Sequence, residues 1–189
     1  FGGRRQRETP RNRDIRVSLR VSFLEAARGS SKRVSLPTGR TVDVRVPAGT
    51  ETGQALRLSG LGQAGTGNNK AGDAIVEITV MPHKFFRREG SDIKIELPIT
   101  LKEAALGARV SAPTIDGPVM LTVPEGAQSG AVLRLKGRGI PKGSDTKERG
   151  DQFVHLSVKL PEKISDELRQ VIQNLVEDGD DLRQRLGLI

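Results

Sequence analysis

VPAGTETGQALRLSGLG at residues 46–62 and VPEGAQSGAVLRLKGRG at residues 123–139 are one phrase written twice. Nine of the seventeen positions are identical, where unrelated segments would share roughly one, and such self-similarity marks an internal repeat. Each copy opens on Val-Pro, turns on paired glycines (Gly49 and Gly53; Gly126 and Gly130) and closes on Leu-Arg-Leu. Proline cannot donate to a central ladder and glycine tolerates positive φ, so the spelling predicts strand, turn, strand.

Working outward, both copies share more than this phrase. Ile15, Val17, Leu19, Val21 and Phe23 alternate with Arg16, Ser18, Arg20 and Ser22, the period of a half-buried strand. Ser22 then stands at capping-box distance from Glu25, and Gly29 stops the short helical turn that follows. Seventy-eight residues later Ile93, Ile95, Leu97, Ile99 and Leu101 alternate, with Thr100 and Glu103 as the box and Gly107 as the stop. Short strands are predicted at Lys32–Leu36 and Val42–Val46, joined through Pro37–Arg40, and again at Val110–Ala112 and Val119–Val123, joined through Pro113–Gly117. Gly- and Lys-rich loops at 62–72 and 139–150 each end in Gly-Asp before a last strand, Ile75–Val80 or Phe153–Leu160. Arg87-Arg88-Glu89-Gly90 joins the copies.

The predicted fold is therefore all-β: two tandem β domains at 14–86 and 87–162 with short helical turns. A basic arm of 1–13 precedes them and a helical segment at 163–189 follows. In the arm, FGGRRQRETPRNR lacks apolar periodicity. In the tail, Ser165 caps a helix whose Leu168, Ile172 and Leu175 recur at helical spacing, flanked by Val171 and Val176, and Asp178 to Asp181 break it.

Composition agrees. Hydrophobic residues make up 35% and charged residues 29%, with 22 Gly, ten Pro, five Phe and no Trp or Tyr. Val, Leu and Ile must fill the core, which suits strands. No apolar run approaches the roughly 20 residues that span a bilayer, so no membrane partner is expected. A net charge of +8 permits nucleic acid or another acidic partner.

Catalytic chemistry is hard to place. Cysteine is absent and His83 and His155 are the only histidines, which excludes a Cys–His dyad, a thiolate zinc site and a multi-histidine metal site. Gly60-Leu61-Gly62 and Gly137-Arg138-Gly139 are too short for a dinucleotide fingerprint and read as turns. No strand–turn–helix nucleophile elbow occurs. The expectation is a binding module with no catalytic residue, metal or cofactor.

Taken in order, Asp14-Ile15-Arg16-Val17-Ser18-Leu19, Glu25-Ala26-Ala27 with Gly29, the Val-Pro phrase, Gly72-Asp73, Pro82-His83 with Phe86, Arg88 and Gly90, Pro113-Thr114-Ile115-Asp116-Gly117 and Gly139-Ile140-Pro141 carry a resemblance. The chain from about residue 13 onward resembles the C-terminal substrate-binding region of DnaJ-type co-chaperones. The resemblance implies two β-sandwich-like domains and a C-terminal dimerisation segment. It also implies a region that binds unfolded client polypeptides and delivers them to a DnaK-type chaperone. The His-Pro-Asp signature of the J domain does not occur here, and Phe1-Gly2-Gly3 is similar to the end of the Gly/Phe linker that follows that domain. A J domain is expected to precede this chain in the whole protein, and the chain alone is not expected to stimulate the partner's ATPase. Without cysteine the chain is similar to the zinc-free branch, which includes the curved-DNA-binding co-chaperones.

Carried over by position, the family's client groove is lined by Val17, Leu19, Val34, Leu36 and Phe86, with Lys32 at its edge. Pattern alone places Val17 and Leu19 in the core; only the resemblance moves them to a groove. Lys32 and Arg33 are candidates to receive the acidic tail of the DnaK-type partner, or are ordinary surface cations. Leu168, Val171, Ile172 and Leu175 are the candidate homodimer contact, or pack on their own second domain. The location expected is cytoplasmic. The rival reading is non-specific duplex DNA binding by the basic arm and surface, with a nucleoid-associated location. The absence of aromatics interleaved with cations argues against sequence-specific single-strand recognition.

Overall fold

The computed structural model describes residues 14–65, 71–142, 148–175 and 179–187. The arm 1–13, Val176 to Asp178 and the terminal Leu188 and Ile189 lie outside the described residues. The first repeat runs β1 (Ile15–Val21), α1 (Phe23–Arg28), β2 (Ser30–Ser35), β3 (Thr41–Val46), β4 (Ala55–Leu58) and β5 (Ala74–Val80). The second runs β6 (Arg87–Glu89), β7 (Asp92–Thr100), α2 (Leu101–Leu106), β8 (Ala108–Thr114), β9 (Gly117–Val123), β10 (Val132–Leu135) and β11 (Gln152–Lys159), and two helices follow, α3 (Asp166–Gln173) and α4 (Gly179–Arg185). The protein is all-β with short helices, as the alternation predicts.

The duplication is visible strand by strand. β1 pairs in parallel with β5, which pairs antiparallel with β4, giving the order β1-β5-β4. In the second repeat β7 pairs in parallel with β11, which pairs antiparallel with β10. Even the register is kept: Ile15 faces Ala74 and Ile93 faces Gln152. Each repeat adds a separate two-stranded ribbon, β2–β3 or β8–β9. Among the described residues the second repeat alone has a fourth strand, because β6 pairs with the start of β7. Sequence patterning read 87–90 only as the joint. Three residues with two arginines carry no strand period.

The same local chemistry shapes both copies. Ser22 and Thr100 each accept the backbone N–H of the glutamate three residues on, and each glutamate accepts the cap's own N–H at 2.8 and 2.7 Å. Gly29 and Gly107 end these helices at φ 81° and 73°, with a Cβ position only 3.0 and 3.1 Å from the backbone nitrogens of Ala48 and Glu125. Only glycine fits there without displacing the turn. The arginine of Leu-Arg-Leu meets the aspartate of Gly-Asp in each copy: Arg57 and Asp73 at 2.5 Å, Arg134 and Asp151 at 2.5 Å. Both carboxyls are held below the usual range, chiefly by the backbone N–H of Gly60 or Gly137 and then by the arginine. The ribbon β8–β9 is longer than its prediction, leaving Ile115-Asp116 as the turn, with Pro113 and Pro118 paired at its end.

Two apolar clusters fill the molecule. The first repeat's contains Ile15, Leu19, Val21, Val34, Leu36, Val44, Val76 and Ile78, with Val17 packed against it. The other belongs mainly to the second repeat, yet Phe23 and Ala27 of α1 are part of it, beside Phe86, Ile93, Ile115 and Ile140. Phe23 stacks on Phe86 with ring centroids 5.7 Å apart. Polar contacts close the same seam. The Arg88 guanidinium donates to the carbonyls of Gly49 (3.0 Å) and Thr50 (3.1 Å) and pairs with Glu51 at 2.8 Å, and Arg28 donates to the Ile115 carbonyl.

Candidate functional site

Strand alternation assigns every backbone group of β1. Ile15 donates its N–H to Asp73 and Val21 accepts from Met81, so the odd-numbered residues of β1 bond toward β5. The N–H and C=O groups of Arg16, Ser18 and Arg20 therefore point the other way. Because β1 is the outermost strand of its sheet, these groups form an open edge among the described residues. In β7 the corresponding residues are Lys94, Glu96 and Pro98. Lys94 is covered by Arg87 of β6, and Pro98 has no N–H to offer. The first repeat presents a strand edge that the second has blunted, by two of the devices that natural sheets use.

The residues assigned to the groove fall in two places. Val17, Leu19, Val34 and Leu36 come together in the first cluster, where Val17 is half-buried and the other three are 9, 7 and 4% exposed. Phe86, 3% exposed, lies in the other cluster between Phe23 and His83. His83 Nδ1 accepts the N–H groups of Phe85 and Phe86 at 3.4 and 3.3 Å, which fixes the aromatic group at the seam. Nothing in the spacing of Phe86 signals which repeat it joins, since it stands between them. Val34 lies in β2, whose partner is β3 alone, so β2 has a second free edge.

The two cations beside this slot already face acids. Lys32 meets Glu25 at 2.6 Å, and this hydrogen bond, with the N–H of Ser22, holds the Glu25 carboxyl down to about 2. Arg33 pairs with Asp43 at 3.1 Å on an exposed surface. Such exposed pairs contribute about 0–1 kcal/mol, so an incoming carboxylate can displace either acid at little cost.

In the tail, Leu168 is half-buried, whereas Val171, Ile172 and Leu175 are 60, 41 and 58% exposed. Leu168 borders an apolar cavity of about 540 Å³ lined also by Leu101, Ala105, Leu106, Leu160 and Pro161. This is α2's outer face. Its counterpart on α1 is the Phe23–Ala27 face, which the second repeat covers. Among the described residues no group of three or more His, Asp or Glu side chains is arranged to hold a metal, and no helix is long and apolar enough to cross a membrane.

A duplicated open-edged β unit with these motifs has relatives. Residues 15–161 match the DnaJ C terminal domain. The chain belongs to the DnaJ C-terminal domain family. It is 40% identical over 186 residues to a Curved DNA-binding protein of Coxiella burnetii, covering 92% of this chain and 58% of that protein. It is 36% identical over 181 residues to a Chaperone protein DnaJ of Ruminiclostridium cellulolyticum, covering 88% of this chain and 47% of the relative. A DnaJ of Desulfitobacterium hafniense is 40% identical over 161 residues, 84% of this chain and 41% of its own. The chain thus spans about half the length of these relatives. A DnaJ C-terminal domain is a co-chaperone's substrate-binding domain and not an enzyme.

Proposed function

We propose that this region binds unfolded or apolar client polypeptides at the first repeat and delivers them to a DnaK-type chaperone. One observation carries the reading: among the described residues β1 keeps an open edge, whereas its counterpart β7 is covered by β6 and interrupted by Pro98. A client in extended form bonds to the exposed N–H and C=O groups whatever its sequence, and apolar neighbours select for aliphatic side chains. Val17 is the part of the slot already accessible. Leu19, Val34 and Leu36 become available as the β2–β3 ribbon, whose strand ladder is separate from the three-stranded sheet, moves off it. Lys32 and Arg33 are placed to take the acidic tail of the DnaK-type partner in exchange for Glu25 and Asp43.

Magnitudes favour a paired arrangement. Burying two or three client side chains gains about 4–8 kcal/mol, while association costs about 4 kcal/mol or more, so one site binds weakly. Two sites in a homodimer raise avidity about 10²–10⁴-fold when one client reaches both. The open face of α2 and the exposed Val171, Ile172 and Leu175 support dimerisation through the C-terminal segment.

The test borrows the molecule's own second copy. Arg20→Pro removes an edge N–H at the register where β7 already carries proline, and its side chain is exposed. With the thermal transition preserved, this variant is expected to lose about tenfold or more in suppressing aggregation of a denatured client, one hydrogen bond and the strand's continuity being lost. Pro98→Arg is the control and leaves suppression unchanged. Equal activity of Arg20→Pro and wild type would remove the edge from the site.

A second reading rests on the net charge of +8 and on the relative whose name is Curved DNA-binding protein: non-specific duplex binding by the basic arm and surface. Its affinity falls steeply between two salt concentrations, whereas apolar client binding changes little.

A further inference from the structure

The solvent face of the second repeat's sheet holds a cavity of about 560 Å³ bordered by Lys84, Phe85, Arg87, Lys94 and His155, with one acid, Glu96, in its lining. We propose that this cavity takes one nucleotide of a single-stranded nucleic acid, its phosphate against Lys84 and Arg87 and its base against Phe85. Neither the client reading nor the duplex reading uses this surface.

The charge pattern supports an anion. Glu89 is paired with Lys94 (2.7 Å), Asp151 with Arg134 (2.5 Å) and Glu96 with Lys159 (3.6 Å). Each acid near the cavity thus has its own cation, and Lys84 and Arg87 have no ion pair among the described residues. The Arg87 guanidinium is held by the His83 carbonyl at 2.7 Å, so it is oriented before any ligand arrives. Phe85 is 42% exposed beside them. His155 is half-buried beside them.

The sheet continues the pattern beyond the cavity. Register places Arg134, Phe153, Lys94 and Arg87 side by side on β10, β11, β7 and β6. The row holds one ring, Phe153, between cations; with Phe85 it offers faces on which bases stack and charges that phosphates meet. A duplex hides the bases and makes no use of Phe85.

Comparison of the two copies isolates the feature. At the matching places the first repeat has Glu77 for His155 and Ile75 for Phe153. An aromatic is gained on β11, and the acid of this row moves across the pair, from Glu77 on β5 to Glu96 on β7, where the first repeat has Ser18.

The experiment is a fluorescence-anisotropy titration of the whole chain with a labelled single-stranded oligonucleotide at low salt, repeated with a duplex and with a mononucleotide as competitors. Expected is single-strand binding that weakens about tenfold or more in Lys84→Glu/Arg87→Glu and in Phe85→Ala, and likewise in His155→Glu, which restores the first copy's residue. Unchanged affinity in all three variants would overturn the site, as would no single-strand binding by wild type. Mononucleotide competing as tightly as the strand overturns the strand assignment. Polyglutamate binding through the same residues with equal affinity overturns the nucleotide assignment in favour of an acidic polypeptide. Duplex binding that survives all three variants while single-strand binding falls separates this site from the second reading above.

Discussion

Glu25 does two jobs with one carboxylate: it completes the cap of α1 and it meets Lys32 on β2. Its pKa is lowered from 4.5 to about 2, first by the lysine and then by the Ser22 N–H. A lowered carboxylate stabilises the folded chain above its unfolded value and loses that contribution as pH falls through the folded one. The group is a third exposed, and solvent screening reduces the effect to about 1 kcal/mol. Wild type is thus expected to exceed Glu25→Gln by about that much in urea denaturation at pH 6, and the gap to close progressively between about pH 4.5 and 2. A gap that persists at pH 2 would separate the stabilisation from this charge. The same ion pair ties β2 to the helix, so under the client-binding proposal an acidic side chain arriving at Lys32 competes with Glu25.

At the scale of elements, what was legible is what repeats. Strands with alternating Ile, Val and Leu, the two capping boxes and the Val-Pro turns are local devices, and each copy vouches for the other. The open edge of β1 was not legible. It depends on β6, three residues with no period, and on pairing order, which no run of residues states. Nor does patterning say that Phe86 packs in the cluster containing Phe23, because a residue between two units has no face of its own. In the tail, amphipathic spacing announced α3, but the cavity beside Leu168 becomes visible only once α2 is superposed on α1. Light scattering on a chain cut after Leu160 is expected to give the mass of a monomer where the whole chain gives a dimer. A dimer of unchanged proportion would place the contact elsewhere.

For the whole molecule, the seam decides how the two copies behave. Apolar packing of Phe23 and Ala27 in the second cluster, together with the Arg88 hydrogen bonds, couples the units. Wild type is expected to unfold in a single transition by both circular dichroism and calorimetry. Arg88→Ala leaves the carbonyls of Gly49 and Thr50 and the carboxylate of Glu51 without their donor, and should lower stability by about 2 kcal/mol. Arg88→Lys recovers little, because one ammonium cannot span three acceptors held by a planar fork. Two resolved transitions in wild type would show the units to be independent.

The sharing of α1 has a further consequence during synthesis. The ribosome releases residues 14–80 while the bed for Phe23 and Ala27, built from Phe86, Ile115 and Ile140, is still unmade. Until translation has passed Ile140, a nascent helper of other polypeptides carries an oily helix side of its own in need of shelter.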